Sequence, residues 1–219
     1  MPNHVYNTVT ITGDEDDLLR LKRLLSMPQP IQLSKGEFDN LIFNFHSLIT
    51  PDQSIWDEYY GSKPKGQSLE ESLKFASNHW YDWNIRNWGT KWNAYDESIS
   101  DNLSDESVKS YYITYEFSTA WSAPAGIIEA LAKKIHELKL NVSFSWIYEE
   151  EQGWGGFIES TPDGNILEID SWEIPDSHKE MLSRKGECYC LESEPIFDDC
   201  PKDEAIKVLE TQQELVENK

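Results

Sequence analysis

Alternation of apolar and polar residues along the chain predicts six β-strands. The clearest is Tyr111–Thr119, YYITYEFST, in which aromatic and β-branched residues alternate with polar ones. Pro162-Asp163-Gly164 separates the last two predicted strands and favours a hairpin turn there. The other predicted strands are Val5–Thr12, Leu41–Ile49, Asn141–Tyr148, Gly156–Ser160 and Ile166–Trp172.

Apolar residues at helical spacing predict helices between these strands. Leu18, Leu21 and Leu25 share one face of a helix that follows a capping box beginning at Thr12. A second helix begins after Ser122-Ala123-Pro124, and its apolar stripe is Ile127, Ile128, Leu131, Ile135 and Leu138. A further helical segment opens at Ser68, and its stripe is Leu69, Leu73, Ala76, Trp80 and Trp83.

The order of these elements predicts an α+β fold. With a Trp-rich helical insertion at about residues 52–106 set aside, the order is βαββαβ, the ferredoxin-like antiparallel sheet with helices on one face. The last hairpin would extend that sheet. We expect residues 1–172 to form this domain. Residues 173–219 would form a C-terminal extension packed on it, with a short helix at Asp176–Arg184, an acidic loop and a terminal helix at Lys202–Glu217.

Charge narrows the classes of partner. The 219 residues include 40 acidic and 19 basic side chains, for a net charge of −21. Because Lys and Arg supply most of the affinity for phosphate backbones, direct nucleic-acid binding is not expected, whereas a basic protein surface would be attracted. The acidic runs at residues 14–17, 96–106, 149–151 and 192–204 would imitate DNA phosphates if they converged, and would be a solvated surface if they scattered.

Other features exclude several classes of function. No segment approaches the roughly 20 apolar residues of a membrane helix, no secretory signal is visible, and the odd number of cysteines indicates free thiols in the cytoplasm. Cys188, Cys190, Cys200 and His178 are weak zinc candidates, because zinc sites favour wider cysteine spacing than C-x-C. The chain lacks recognised nucleophile, metal and phosphate-loop motifs, so we expect no enzyme activity, no metal and no cofactor.

An aromatic segment provides the candidate contact residues. Trp80–Trp92, WYDWNIRNWGTKW, holds four of the nine tryptophans. Such rings could stack on a base while a lysine holds a phosphate or carboxylate, or they could pack a helix on the sheet. The surroundings of Lys91 would distinguish these two alternatives. If the rings pack a helix on the sheet, Lys91 should pair with an acid or a helix-end carbonyl. If the rings form a binding site, Lys91 should face an open pocket. The candidates are Trp88, Thr90, Lys91, Trp92, Asn93 and Trp121.

Three stretches of the chain carry a family resemblance. They are MPNHVYNTVTITG at the start, WYDWNIRNWGTKWNA at Trp80–Ala94, and FSTAWSAP at Phe117–Pro124, with a Gly-Trp-Gly-Gly turn at Gly153. Together they resemble the YubB ferredoxin-like family, uncharacterised proteins carried mostly by bacterial plasmids and bacteriophages. The likeness spans about residues 1–160 and departs at His4, commonly Trp in the family, and at Ala123, frequently proline. It implies the βαββαβ sheet and a mobile-element origin, and it implies no established reaction and no iron–sulfur cluster.

These observations lead to one functional hypothesis and one alternative. The chain is expected to be a non-enzymatic, acidic interaction protein of a phage or plasmid that binds a host protein with a basic surface. It would inhibit a defence or DNA-processing protein, with DNA mimicry as one form of that inhibition. The alternative is a protein that binds nucleotides or single-stranded nucleic acid through the aromatic segment.

Overall fold

A six-stranded antiparallel sheet organises the protein. The computed structural model describes residues 3–26, 41–51, 55, 80–105, 107–161, 163–175, 177 and 180. The strand order is β2-β3-β1-β4-β5-β6, and every neighbouring pair is antiparallel. The strands are β1 (His4–Gly13), β2 (Tyr95–Asp101), β3 (Tyr111–Ala120), β4 (Val142–Glu150), β5 (Gly155–Ser160) and β6 (Ile166–Trp172).

Two helices connect strands that are not neighbours in the sheet. Helix α1 (Glu15–Leu25) follows β1, and the chain then reaches β2 on the far side of β3. Helix α3 (Ala125–Glu137) joins β3 to β4 across β1, and helix α2 (Trp80–Trp88) precedes β2. This split connection, with core order β4-β1-β3-β2, is the ferredoxin-like topology. The predictions of an α+β class, an antiparallel sheet and an added hairpin, β5–β6, are therefore confirmed.

The core lies between one face of the sheet and the helices. Inward positions alternate along each strand, so Val9, Ile113 and Trp146 face the helices and are fully buried. The predicted stripe of α1 is buried as expected, and so is that of α3 up to Ile135, while Leu138 is partly buried.

The second strand of the sheet is not where the apolar pattern placed it. The predicted strand Leu41–Ile49 contains a 3-10 turn at Phe45–Ser47, because the Asn44 side chain accepts from the backbone N–H of His46 and closes the turn. The strand is instead β2, YDESISD, which lies in the segment predicted to be an acidic loop. Two of its three carboxylates, Glu97 and Asp101, are hydrogen-bonded to neighbouring segments, and this helps a polar sequence to form an edge strand.

Glu97 shows how these two segments fit together. Its carboxylate accepts from the backbone N–H of Ile42 at 2.8 Å and from that of Phe43 at 2.7 Å. Burial raises the pKa of Glu97, and these two hydrogen bonds oppose the rise. The segment predicted to be a strand therefore packs its phenylalanines into the core while a side chain of β2 satisfies its backbone.

The chain divides into two compact units. One comprises Met1–Glu151 with Gly155–Trp172, and the other comprises Gln152–Trp154 with Glu173–Lys219. The predicted helix start at Ser68, the terminal helix at Lys202–Glu217 and the three cysteines lie outside the described residues, and the helix predicted at Asp176–Arg184 is described only at Ser177 and Glu180. None of the helices in the described part of the chain has the length and apolar character needed to cross a membrane.

Candidate binding surfaces

The aromatic segment divides into a buried part and an exposed part. Trp88 belongs to the buried part: it is 2% exposed, and its indole N–H donates to the carbonyl of Ile49 at 3.1 Å. The rings of Phe45 and Trp83 pack edge-on against it. Because its ring is enclosed and its one donor is used, Trp88 cannot contact a partner, and the prediction that it does so is wrong.

Thr90 also belongs to the buried part. Its hydroxyl donates to the carbonyl of Ala120 at 2.8 Å, and its side chain is fully buried. Gly89 precedes it with a φ of +84°, and a Cβ at that glycine would lie 2.8 Å from the backbone nitrogen of Ala125. The hydrogen bond of Thr90 therefore holds the close turn at Gly89 against the end of β3. This structural role corrects the prediction that Thr90 is a contact residue.

Asn93 holds two backbone segments together. Its side-chain oxygen accepts from the backbone N–H of Phe45 at 2.9 Å, and its amide nitrogen donates to the side-chain oxygen of Asn44 at 2.9 Å. The two polar atoms of the amide are thus used inside the fold. Asn93 positions the chain between α2 and β2, and the structure does not support the predicted contact role.

The other three predicted residues come together at the surface. The ammonium nitrogen of Lys91 lies 4.5 Å from the ring centre of Trp121, 4.8 Å from that of Trp92 and 5.7 Å from that of Tyr81. We call these four residues the Lys91 cluster. Among the described residues, no carboxylate lies within 4.0 Å of the ammonium group. The positive charge therefore lies against ring faces, and within the described residues neither the acid nor the helix-end carbonyl of the packed alternative is its partner.

Trp121 is presented by an unusual backbone. Its φ is +73°, a left-handed conformation that costs a bulky residue about 1–3 kcal/mol. Its backbone N–H donates to the carbonyl of Asn3 at 2.9 Å, and the hydroxyl of Thr119 donates to the carbonyl of Ser122, so the turn is fixed on both sides. The indole is 43% exposed at this turn. An unfavourable backbone conformation thus places a tryptophan at the surface beside a lysine.

Sequence reasoning missed two aromatic members of this region. Tyr81 packs edge-on against Trp121, with ring centres 5.9 Å apart, and its position directly after Trp80 was the available signal. Tyr95 packs edge-on against Trp92 and its hydroxyl lies 2.6 Å from Nδ1 of His4. Burial, aided by nearby carboxylates, raises the pKa of Tyr95 to about 12, so the phenol is neutral at physiological pH.

A second surface is the face of the sheet opposite the helices, which we call the open face. Directly opposed residues of antiparallel strands share a face, so the pairing register defines its rows. One row is Tyr95, Ser118, Tyr6, Glu149, Gly155 and Trp172. The next is Ser98, Glu116, Thr8, Ile147, Phe157 and Asp170, and the third is Ser100, Thr114, Thr10, Ser145, Glu159 and Leu167.

The open face is acidic and partly apolar. Its three rows contain four carboxylate side chains, those of Glu116, Glu149, Glu159 and Asp170. The rows contain no Lys or Arg. Tyr6 is 57% exposed, Ile147 46% and Leu167 48%, and hydroxyl-bearing side chains occupy most positions between them. Because Tyr95 begins one row and also contacts Trp92, the Lys91 cluster adjoins this face.

The acidic character of this face does not come from the acidic runs of the sequence. Of the four runs, only residues 149–151 contribute a carboxylate to its rows, through Glu149. Residues 14–17 lie at the start of α1, which packs on the other side of the sheet, and residues 192–204 lie outside the described part of the chain. The remaining carboxylates occupy alternate strand positions. They are brought together by register, which single strands do not reveal.

A cleft between α2 and α3 brings together three basic side chains on the side of the sheet that the helices cover. It has a volume of about 460 Å³ and is lined by Arg86, Lys133 and Lys134 together with Glu129 and Glu137. Glu137 lies 3.8 Å from the ammonium nitrogen of Lys133 and 3.6 Å from that of Lys134, so its carboxylate offsets part of their charge. The described residues contain no group of three His, Cys, Asp or Glu side chains placed to hold a metal ion.

Comparison with known proteins supports the fold and gives no activity. None of the curated proteins and none of the solved structures matches the chain. Residues 88–189 match the model of a family described as a ferredoxin-like domain in Api92-like protein. The matched segment begins at the last residue of α2 and includes β2 to β6 with α3. Over this segment the chain is similar to a ferredoxin-like family, in agreement with the strand order of the sheet.

Proposed function

We propose that this chain is a non-enzymatic binding protein that docks a basic surface of another protein against its open face. One observation carries the proposal: the three rows of that face combine four carboxylates with exposed apolar side chains and contain no basic residue. Apolar contacts such as Tyr6 and Ile147 would supply affinity, and the carboxylates would select a cationic partner and speed its approach.

The family resemblance suggests what the partner is. The Trp-rich segment resembles the YubB ferredoxin-like family, whose members are carried mostly by plasmids and bacteriophages, so we propose a host protein of the bacterial cytoplasm as the target. Host proteins that handle DNA have basic surfaces, and an acidic protein that occupies such a surface would inhibit them. On this proposal the function is inhibition of a defence or DNA-processing protein by competition for its basic groove, as a DNA mimic does.

A pull-down from bacterial lysate at increasing salt tests this proposal. The test variant replaces Glu116, Glu149 and Glu159 with glutamine, and we expect it to lose at least about tenfold in affinity for the captured partner. The control neutralises three carboxylates on the helices, by Glu15→Gln, Asp16→Asn and Glu129→Gln, with the same change in net charge. Equal losses in both variants would contradict a docking role for the open face, and failure to retain any protein at low salt would contradict the binding function.

The Lys91 cluster supports a second candidate, binding of nucleotides or single-stranded nucleic acid. An exposed indole offers a stacking surface, and the neighbouring ammonium group, which is held by rings rather than by a carboxylate, could hold a phosphate. Addition of a mononucleotide should then quench tryptophan fluorescence in the wild type and not in Lys91→Ala. That variant should lose less than about 1 kcal/mol of unfolding free energy, since a cation–π contact at an exposed site contributes no more. Unchanged fluorescence at millimolar nucleotide would contradict this candidate.

A further inference from the structure

The β6 edge of the sheet is exposed in a way that the rest of the sheet is not. Within the described part of the chain, β6 is the last strand in the order β2-β3-β1-β4-β5-β6. Its five central residues, Leu167 to Ser171, are all exposed, and the side chains of Leu167 and Ile169 are each 48% exposed. An edge strand presents a row of backbone N–H and C=O groups that can pair with another chain.

The opposite edge, β2, carries features that discourage such pairing. Its register with β3 shifts between Tyr95 and Ser98, and Asp96 has a left-handed φ of +52°. Two of its carboxylates are used inside the domain: Glu97 binds two backbone N–H groups, and Asp101 lies 2.7 Å from the ammonium nitrogen of Lys22. Bulges and charged side chains are the usual protection of sheet edges. The β6 edge, ILEIDSW, also has a register shift and two carboxylates, but among the described residues Glu168 and Asp170 have no hydrogen-bond or ion-pair partner, so their charges remain available to another chain.

The charges of β6 indicate the chemistry of a partner strand. Asp170 pairs with Phe157 and therefore lies on the open face, whereas Glu168 pairs with Ile158, which packs toward the core, and lies on the other face. A register shift between these pairs leaves Ile169 between them. The edge thus carries one carboxylate on each face, with apolar side chains beside them. A second copy of this chain would bring the same carboxylates together, and like charges on neighbouring strands destabilise a sheet.

From these features we propose that the β6 edge accepts an extended, basic segment of the partner protein as a seventh strand. This inference rests on the proposed function and adds the mode of recognition. The backbone of the segment would pair with β6, and its Lys or Arg side chains would lie beside Glu168 on one face or Asp170 on the other. Apolar side chains of the same segment would cover Leu167 and Ile169. The recognised feature is a strand that alternates basic and β-branched residues.

Two synthetic peptides separate strand pairing from charge attraction. The first alternates lysine and valine over seven residues, the length of β6. The second has the same sequence with every backbone nitrogen methylated, so it keeps its side-chain charges and has no backbone N–H with which to pair along either edge. We expect the methylated peptide to bind the full chain at least about tenfold more weakly, as measured by fluorescence anisotropy. Equal affinity would overturn strand addition. It would leave the proposed charge-based docking standing, because the lysate pull-down tests that independently.

Two substitutions at the ends of one row provide the matched control. Leu167 on β6 and Ser100 on β2 belong to the same row of the open face, and both are exposed. Leu167→Lys should weaken binding of the unmethylated peptide about tenfold, because a lysine side chain on an edge strand opposes pairing with another strand. Ser100→Lys, with the same charge change, should weaken it less than about threefold. The reverse order would overturn the assignment to β6.

Amide hydrogen exchange provides a readout that does not depend on any variant. On peptide binding, backbone amides of β6 should exchange at least about tenfold more slowly in the wild-type chain, while those of β2 keep their rates. Increased protection confined to β2, or no change in β6 at saturating peptide, would overturn the proposal. Because this measurement uses the unmodified chain, it decides the question even if Leu167→Lys fails to fold.

Discussion

The two faces of this sheet are built from the same strands and have opposite chemistry. On the covered face, Val9, Ile113 and Trp146 are fully buried under the helices. On the open face, Thr8, Thr10 and Thr114 lie in the same rows of side chains as carboxylates, near exposed aromatic rings. Only the covered face removes much apolar surface from water, so we expect it to supply most of the folding free energy. The open face can therefore vary with little cost in stability, and this leaves it available for binding.

The sharpest test of this difference uses two adjacent residues of β4. Trp146 is fully buried, its ring packs edge-on against Phe43 and Phe117, and its indole N–H donates to the side-chain oxygen of Asn7 at 3.0 Å. Trp146→Ala should cost about 3–5 kcal/mol by urea unfolding, from the cavity and the unpaired amide. Ile147, the next residue, is 46% exposed on the open face, and Ile147→Ala should cost less than about 1 kcal/mol. Similar losses at the two positions would remove the distinction between the faces.

The second test concerns the helices that cover the buried face. Gly126 is in the first turn of α3, and a Cβ there would overlap the carbonyl oxygen of Asn87 in α2. Gly126→Ala should therefore cost about 1–3 kcal/mol, even though alanine favours helices, because the two backbones must separate. Glu129→Ala, at an exposed position of the same helix, is the control and should change stability by less than about 0.5 kcal/mol. Stabilisation by Gly126→Ala would show that α2 and α3 do not approach as closely as described.

The covered face was largely predictable from the sequence, and the open face was not. A strand with one buried face alternates apolar and polar residues, as at Ile113, Tyr115 and Phe117, and this pattern can be read from the sequence of that strand alone. Five of the six strands are therefore predicted at the correct positions. The sixth, β2, lacks that alternation because its polar side chains are satisfied by partners distant in sequence, such as Lys22 for Asp101. The rows of the open face depend on register between strands, which no single segment encodes.

The candidate site was half predictable for a related reason. Aromatic clustering identified the correct segment, but spacing could not separate Trp88 from Trp92, because an indole serves equally well in a core or at a surface. Trp88 and Trp92 differ in environment because the turn at Gly89 and Thr90 lies between them and directs the following residues away from the core. The surface position of Trp121 depends in turn on a left-handed backbone that tryptophan rarely adopts.

A third test compares two tyrosines on opposite faces. The hydroxyl of Tyr115 is buried, and it has no hydrogen-bond partner in the described structure. Burial is the main cause that raises the pKa of Tyr115. Tyr115→Phe should raise the free energy of unfolding by up to about 1 kcal/mol, since it removes an unsatisfied polar group and leaves only an oxygen-sized void. Tyr6→Phe, on the open face, should leave stability unchanged within about 0.5 kcal/mol. A loss of more than that at Tyr115 would mean that its hydroxyl has a partner.

The smallest expected effect is electrostatic and lies where α1 meets the β2 edge. The hydrogen bond from Lys22 to Asp101 is the main cause that lowers the pKa of the Asp101 carboxyl, with help from the backbone N–H of Leu103. Because the pKa is lower in the folded state, the stabilisation is present above the unfolded pKa of about 3.9 and is lost as pH falls through the folded value. Both groups are partly exposed, so Asp101→Asn should cost only a few tenths of a kcal/mol at pH 7. The difference from wild type should narrow as pH falls below the unfolded pKa and close once the folded carboxyl is protonated. A double-mutant cycle with Lys22→Met, measured by urea unfolding at pH 7 and at low pH, isolates the pair. A coupling energy that persists at low pH would assign the stabilisation to packing rather than to charge.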